Sequence, residues 1–245
     1  MWRPVTVARL RDETTRARTL TLEVPDWPGH RPGQHVDVRL TADDGYQAVR
    51  SYSIASAPEA DAVDITVVLV DDGEVSSYLV GDARVGDAFD VRGPLGGYFV
   101  WTVGDGGPLL LVAGGSGLVP LMSMLRHRHA RQADVPVRAL VSARTQHDLL
   151  YADELEAIGV AENVNVHLTL TREQPPGWTG YARRLDRAVL EEIAWAPVDR
   201  PRAYVCGPTG FVEHAATLLV ELGHDPIAIK TERFGPTGKA TEKKG

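Results

Sequence analysis

From residue 5 to about residue 92, apolar and polar positions alternate: Val5 and Val7, Leu20, Leu22 and Val24, Val36, Val38 and Leu40, Ile65 and Val67, with turn formers between. A period of two buries one face of a strand, so this half predicts short strands closing into a β-barrel or a sandwich. One short helix is expected in it, at "VSSYLVGD", 75–82. Past the Gly-rich stretch "TVGDGGP" at 102–108 the pattern changes to apolar strand, turn, helix, repeated. "LLLVA" (109–113) precedes a helix over 118–131, "VRALVSA" (137–143) precedes "YADELEAIG", and "VNVHLTL" (164–170) precedes "RLDRAVLEEIA". "RAYVC" (202–206) precedes "FVEHAATLLVELG", and "PIAIKTE" (226–232) closes the series. Strands alternating with helices predict a doubly wound parallel sheet, because each parallel crossover needs a connecting element. The expected organisation is an antiparallel β domain over 1–102, an α/β domain over 103–236, and a polar, Gly-rich tail over 237–245 that is expected to be disordered.

Composition narrows the function classes. At 43% hydrophobic and 24% charged residues, with no apolar run near the roughly 20 that a membrane span needs, the chain reads as a soluble globular protein. The opening "MWRPVTVARLRDE" has no apolar signal-peptide core, so the cytoplasm is the expected location. A net charge of -7 argues against a general nucleic-acid binder. Basic residues cluster locally, as Arg9, Arg11, Arg16 and Arg18, as "RHRHAR" at 126–131, and as Arg183 and Arg184. The single cysteine, Cys206, excludes an internal disulfide and cannot supply the ligands of an iron–sulfur cluster or a structural zinc site, so no metal is expected. That thiol is either inert packing or part of a site.

In a doubly wound sheet ligands bind at the carboxyl ends of the strands, so the turns after 113, 143, 171 and 206 should face one crevice. The first, "GGSGLVP", has the form G-x-G-x-x-P, with Gly115, Ser116 and Gly117 in the turn and Pro120 in the first turn of a helix, where no N–H is needed. Such a turn either lets backbone N–H groups approach a pyrophosphate or is only a tight strand-to-helix connection. In the β half, "RSYSIASAP" at 50–58 sets an arginine, an aromatic ring and hydroxyls on one extended segment.

Arg-x-Tyr-Ser in a β domain, then "DDGEVSSYL", "VRGPLGGYF", G-x-G-x-x-P, Cys-Gly-Pro and "TERFG", in that order over roughly 3–236, resembles the ferredoxin-NADP reductase superfamily. The resemblance implies a barrel that binds FAD followed by a domain that binds NAD(P). It assigns Arg50 to the FAD diphosphate, Tyr52 to the flavin face and Ser53 to the flavin N5 edge, with Ser51 in the same segment. It places the turn Gly73, Glu74, Val75, Ser76 and Ser77 at the diphosphate, with Ser76 as a direct contact and the acidic Glu74 contributing only its backbone, and it counts Val68 among the cofactor contacts. Gly115, Gly117, Pro120, Ala143, Gly207, Pro208 and Thr209 fall to the nucleotides, Ser116 is a candidate for flavin contact, and Phe234 either touches flavin or packs the end of the last strand. Cys206 would stand beside the nicotinamide, orienting it rather than attacking it, with Ser53 and Glu232 completing the polar set as catalytic residues.

The implied activity is transfer of a hydride from NADPH to FAD and of electrons to a separate ferredoxin, flavodoxin or oxygenase component. A reductase of free flavin or another small acceptor, and an FAD-binding electron-transfer subunit, are the alternatives. NADPH is expected over NADH because Arg144 stands where an NAD-type acid would be needed, while Thr171 and Arg172 resemble the family's Ser-Arg-Glu segment. Arg183 would add a third positive charge, with Arg184 an equally good reading of the same loop. The hairpin arginines Arg9, Arg11, Arg16 and Arg18 either dock an acidic partner or form a solvated face. A monomer is the simplest expectation.

Overall fold

A computed structural model describes residues 1–235; the tail expected over 237–245 lies outside the described residues. Six strands form the first sheet: β1 (Trp2–Thr14), β2 (Ala17–Glu23), β3 (His35–Thr41), β4 (Gln47–Ser53), β5 (Val63–Val68) and β6 (Ala88–Leu95). Their order is β4-β3-β6-β1-β2-β5, every pair antiparallel, and the bridge Ile54–Ile65 joins the two outer strands into a barrel. That bridge lies just past the end of β4, so the outer strands meet at one end only. Its interior is filled by the predicted alternating set, among them Val5, Val7, Leu20, Leu22, Val36, Val38, Ile65 and Val67. The short helix α1 (Glu74–Ser77) runs on into a π-helical turn (Tyr78–Asp82) and sends Val75 and Leu79 into that core.

The second sheet is wholly parallel. It comprises β7 (Leu109–Gly114), β8 (Val137–Ala143), β9 (Val164–Leu170), β10 (Arg202–Pro208) and β11 (Ile229–Phe234), in the order β11-β10-β7-β8-β9. Helices α2 (Leu118–Ala130), α3 (Ala152–Gly159), α4 (Arg187–Ile193) and α5 (Thr209–Glu221) make the crossovers. The central strand β7 is buried along its whole length, the burial pattern of a parallel strand covered on both faces. β11 begins three residues later than its apolar run suggests, because Asp225 accepts the Ile227 N–H and Pro226 opens a 3-10 turn ahead of it.

The two domains share a packed interface. Ala17 and Ala55 of the barrel belong to the same apolar cluster as Leu118, Leu121 and Met122 of α2. Ser123 of α2 donates to the Ser56 carbonyl at 2.6 Å, and Arg126 to the Ala55 carbonyl at 2.8 Å while also pairing with Glu154 at 2.6 Å. The linker is fixed as well, since Tyr204 donates to the Val100 carbonyl at 2.8 Å. The basic run at 126–131 is therefore not a surface patch at its start: Arg126 and His127, which meets Glu59 at 2.9 Å, serve this packing, and Arg128 donates to the Val135 carbonyl within the second domain.

Candidate functional site

The carboxyl ends of all five parallel strands lie at one end of the sheet, as their in-register pairing requires. There the turn after β7 and the turn after β10 lie backbone on backbone. A Cβ on Gly117 would sit 2.0 Å from the Cys206 carbonyl oxygen, and one on Gly207, at φ +153°, would sit 2.9 Å from the Gly114 carbonyl oxygen. Only glycine permits both approaches. Gly115 is exposed and Ser116 half-buried on the same turn, and Pro120 falls in the first turn of α2, as expected.

Within the barrel the Arg-x-Tyr-Ser segment is β4 itself. Arg50 is exposed, and the half-buried Tyr52 packs against the barrel core, which pushes its phenol up to about 12 by desolvation. Ser51 lies on the other face of the strand, where its hydroxyl donates to Asp37 at 2.6 Å and Asp37 in turn takes Arg92 at 2.6 Å. The Ser51 hydroxyl proton is thus committed to Asp37. Ser53 closes the strand at 6% exposure, and its Oγ has no hydrogen-bond partner among the described residues. A buried hydroxyl left unpaired costs free energy. A polar edge of a bound flavin would remove that cost, so the residues present fit the FAD that the sequence implies.

The "GEVSS" turn stands over β4 with Gly73 at the N-cap of α1. Ser76 differs from its expected role. Its buried hydroxyl accepts the Val70 N–H at 3.1 Å and donates to the Gly73 carbonyl at 3.1 Å, so it shapes the loop instead of facing a phosphate. Ser77 is exposed, Val75 is buried in the barrel core, and the Glu74 carboxylate takes the Tyr46 hydroxyl at 3.1 Å. Val68 and Phe234, one from each domain, both pack against the apolar cluster at the interface.

Cys206 is fully buried on β10, and its register partner on β11 is Glu232. The Sγ lies 4.0 Å from Glu232 Oε2. Burial, with the nearby carboxylate adding to it, pushes the thiol well above its ordinary range, so the sulfur is a protonated thiol and not a nucleophile. Burial likewise pushes the Glu232 carboxyl up to about 7.

A groove of about 570 Å³ opens at the ends of β8 and β9 and is lined by Arg144, Thr171, Arg172, Arg184, Phe211 and His214, among others. The Arg172 N–H donates to the Arg144 carbonyl at 2.9 Å, which ties the two turns and brings both arginines to one place. The Thr171 hydroxyl is 3.2 Å from the carbonyl of Ala143, the last residue of β8. Arg184, not Arg183, completes this set: Arg183 pairs with Asp186 at 3.3 Å and lies 6.0 Å over the Tyr181 ring. Arg144, Arg172 and Arg184 have no carboxylate partner among the described residues. Pro208 also lines the groove, and Thr209 opens α5 beside it. Sequence reasoning missed Phe211 and His214; the available signal was that α5 starts directly at the carboxyl end of β10, so its first two turns border the crevice.

The first hairpin does not present the free basic cluster that its sequence suggests. Arg11 pairs with Glu13, Arg16 with Asp71 and Arg18 with Asp12, leaving Arg9 alone of the four without a carboxylate partner among the described residues. No helix of the described residues is long and apolar enough to cross a membrane, and no group of three or more His, Cys, Asp or Glu among them could hold a metal ion.

Comparison with known proteins agrees with this arrangement. Residues 6–100 match the oxidoreductase FAD-binding domain family and residues 111–217 the oxidoreductase NAD-binding domain family. Over 211 residues the chain is 33% identical to a glycine betaine monooxygenase reductase subunit of Chromohalobacter salexigens, covering 84% of this chain and 56% of that one. The chain thus spans little more than half the length of that curated relative. The FAD/NAD-binding domain of a nitric oxide dioxygenase from Vibrio cholerae superposes with a TM-score of 0.85 at 23% identity, covering 96% of this chain and 99% of that one. A ferredoxin NADP+ reductase from Neisseria gonorrhoeae gives 0.81 at 21% identity, with 95% and 98% covered. With a six-stranded antiparallel barrel, a parallel sheet ending in a glycine-lined crevice, and both family domains in order, the chain belongs to the ferredoxin-NADP reductase superfamily.

Proposed function

We propose that the chain takes a hydride from NADPH onto FAD and passes the electrons to a separate acceptor. The observation that carries this reading is the continuous link between the two halves of the site. The segment after Ser53 is bonded to α2 through Ser56 and Ala55, and α2 springs from the glycine turn that lies on the Cys206 carbonyl. The unpaired Ser53 hydroxyl and the Cys206 thiol are thereby held by one rigid path, as two rings that must meet at reacting distance require.

FAD, when bound, supplies an acceptor for two electrons that can also leave singly, so a hydride donor and a one-electron acceptor can be served in turn. Arg50 would hold its diphosphate, the Tyr52 ring would pack on the flavin, and the Ser53 hydroxyl would donate at the N5 edge. Cys206 would orient the nicotinamide as a small, protonated side chain, with Glu232 holding a proton at its carboxyl below about pH 7. Arg144, Arg172 and Arg184, with Thr171 behind them, would take the 2'-phosphate of NADPH. Three guanidiniums without counter-ions lining one groove are costly unless an anion binds them.

The relatives supply the class of acceptor. The Chromohalobacter relative is named a monooxygenase reductase subunit, and others are named reductase components of naphthalene dioxygenase and propane monooxygenase systems. By analogy an oxygenase component, or a ferredoxin or flavodoxin serving one, takes the electrons here.

The test is a visible spectrum followed by NADPH without oxygen. A yellow protein bleached within seconds supports the reductase. A yellow protein that stays oxidised is an electron-transfer subunit, and a protein that takes up no FAD overturns the reading.

A further inference from the structure

Two exposed side chains are clasped above β4. The Tyr46 hydroxyl, in the turn between β3 and β4, donates to Glu74 Oε2 at 3.1 Å, and Glu74 is the first residue of α1. Arg50 stands on the same strand edge and has no carboxylate partner among the described residues; its guanidinium donates to the carbonyl of its neighbour Val49 at 2.7 Å. Both charges act on the Tyr46 phenol, which is raised first by its hydrogen bond to Glu74 and drawn the other way by Arg50. The Glu74 carboxylate is thus fixed, through Tyr46, over the strand that carries Arg50, at the place where the sequence puts a diphosphate.

A diphosphate held by Arg50 would lie near this fixed negative charge, and like charges at an exposed site repel with a strength that salt screens. Resting on the reading that this cradle holds FAD, we propose that the fixed Glu74 carboxylate repels the FAD diphosphate held by Arg50, and that Tyr46 is the positioning residue that keeps it there. The flavin is then held less tightly than the cradle would allow and exchanges with free FAD. A surface acid serving only to favour the first turn of α1 would not affect phosphate-bearing ligands selectively.

The experiment removes the flavin and titrates the apoprotein with FAD, following flavin fluorescence, for wild type, Glu74→Gln, Tyr46→Phe and the double variant. At low salt Glu74→Gln is expected to lower the FAD dissociation constant roughly five- to tenfold, and the gain is expected to shrink at high salt. Tyr46→Phe should give part of that gain alone and none on top of Glu74→Gln. Riboflavin, which carries no phosphate, should bind all four proteins alike. Equal FAD affinity in wild type and Glu74→Gln, a gain indifferent to salt, or an equal gain for riboflavin would overturn the proposal while leaving FAD binding intact. Failure of all four proteins to bind FAD would overturn the cofactor reading and this proposal together.

Discussion

Cys206 Sγ and Glu232 Oε2 lie 4.0 Å apart on paired positions of the neighbouring parallel strands β10 and β11. The thiol is buried and protonated, so its expected work is to set where the nicotinamide rests. Cys206→Ser should keep FAD and the fold but slow flavin reduction by NADPH roughly tenfold or more, as loss of alignment does. Stopped-flow reduction checks this, and an unchanged rate would return Cys206 to inert packing. In the folded wild type the thiol should also resist iodoacetamide at pH 8, because the thiolate is the reacting form.

Glu232 predicts a pH dependence of stability. Burial raises its carboxyl from 4.5 to about 7, so the folded chain binds this proton more tightly than the unfolded chain does. The stabilisation from that proton is full below about pH 4.5 and is lost as pH rises through about 7. Between pH 5 and pH 8 the wild type should therefore lose more melting temperature than Glu232→Gln, which carries no titrating group there. Parallel melting curves for the two proteins would refute a raised Glu232.

The groove arginines separate two adjacent residues. Arg184→Ala should lower kcat/KM for NADPH with little effect on NADH, by roughly 1.5 to 3 kcal/mol for a lost charged hydrogen bond, mostly in KM. Arg183→Ala should do much less, since its guanidinium is already engaged by Asp186. Steady-state kinetics with both nucleotides decide between them, and the Arg144→Ala, Arg172→Ala double variant should lose the preference further. Equal use of NADH by the wild type would show that no arginine here reads the phosphate.

Arg50→Ala should weaken FAD retention by roughly 1.5 to 3 kcal/mol, the range for a hydrogen bond to a charged group. Dialysis at low protein concentration, followed by the flavin-to-protein absorbance ratio, measures it. Full occupancy after dialysis would place the diphosphate elsewhere.

Gly117→Ala tests the glycine turn. The backbone angle there, φ -59°, suits any residue, so the whole penalty comes from a Cβ placed 2.0 Å from the Cys206 carbonyl oxygen. Separation of the two turns should cost roughly 1–3 kcal/mol, which lowers the melting temperature by several degrees and slows hydride transfer with it. A stable, fully active variant would show that the turns are not held this closely in solution.

The sequence by itself determined the two domains, their order and nearly every element, because the two-residue and 3.6-residue periods and the glycine turns are local signals. It also singled out Arg50, Tyr52, Ser53, Cys206 and Glu232 as candidates, which lie on β4, β10 and β11. Tertiary structure alone decided which side chains are free to act. Cross-strand register sets Asp12 opposite Arg18, and neighbouring carboxylates take Arg11 and Arg16, so a basic run in the chain is largely neutralised in space. Strand alternation turns Ser51 to Asp37, and a loop closing on itself takes the Ser76 hydroxyl. The choice between Arg183 and Arg184 was equally closed to sequence reasoning: consecutive residues look alike along the chain, but one guanidinium is engaged by Asp186 and the other lines the groove.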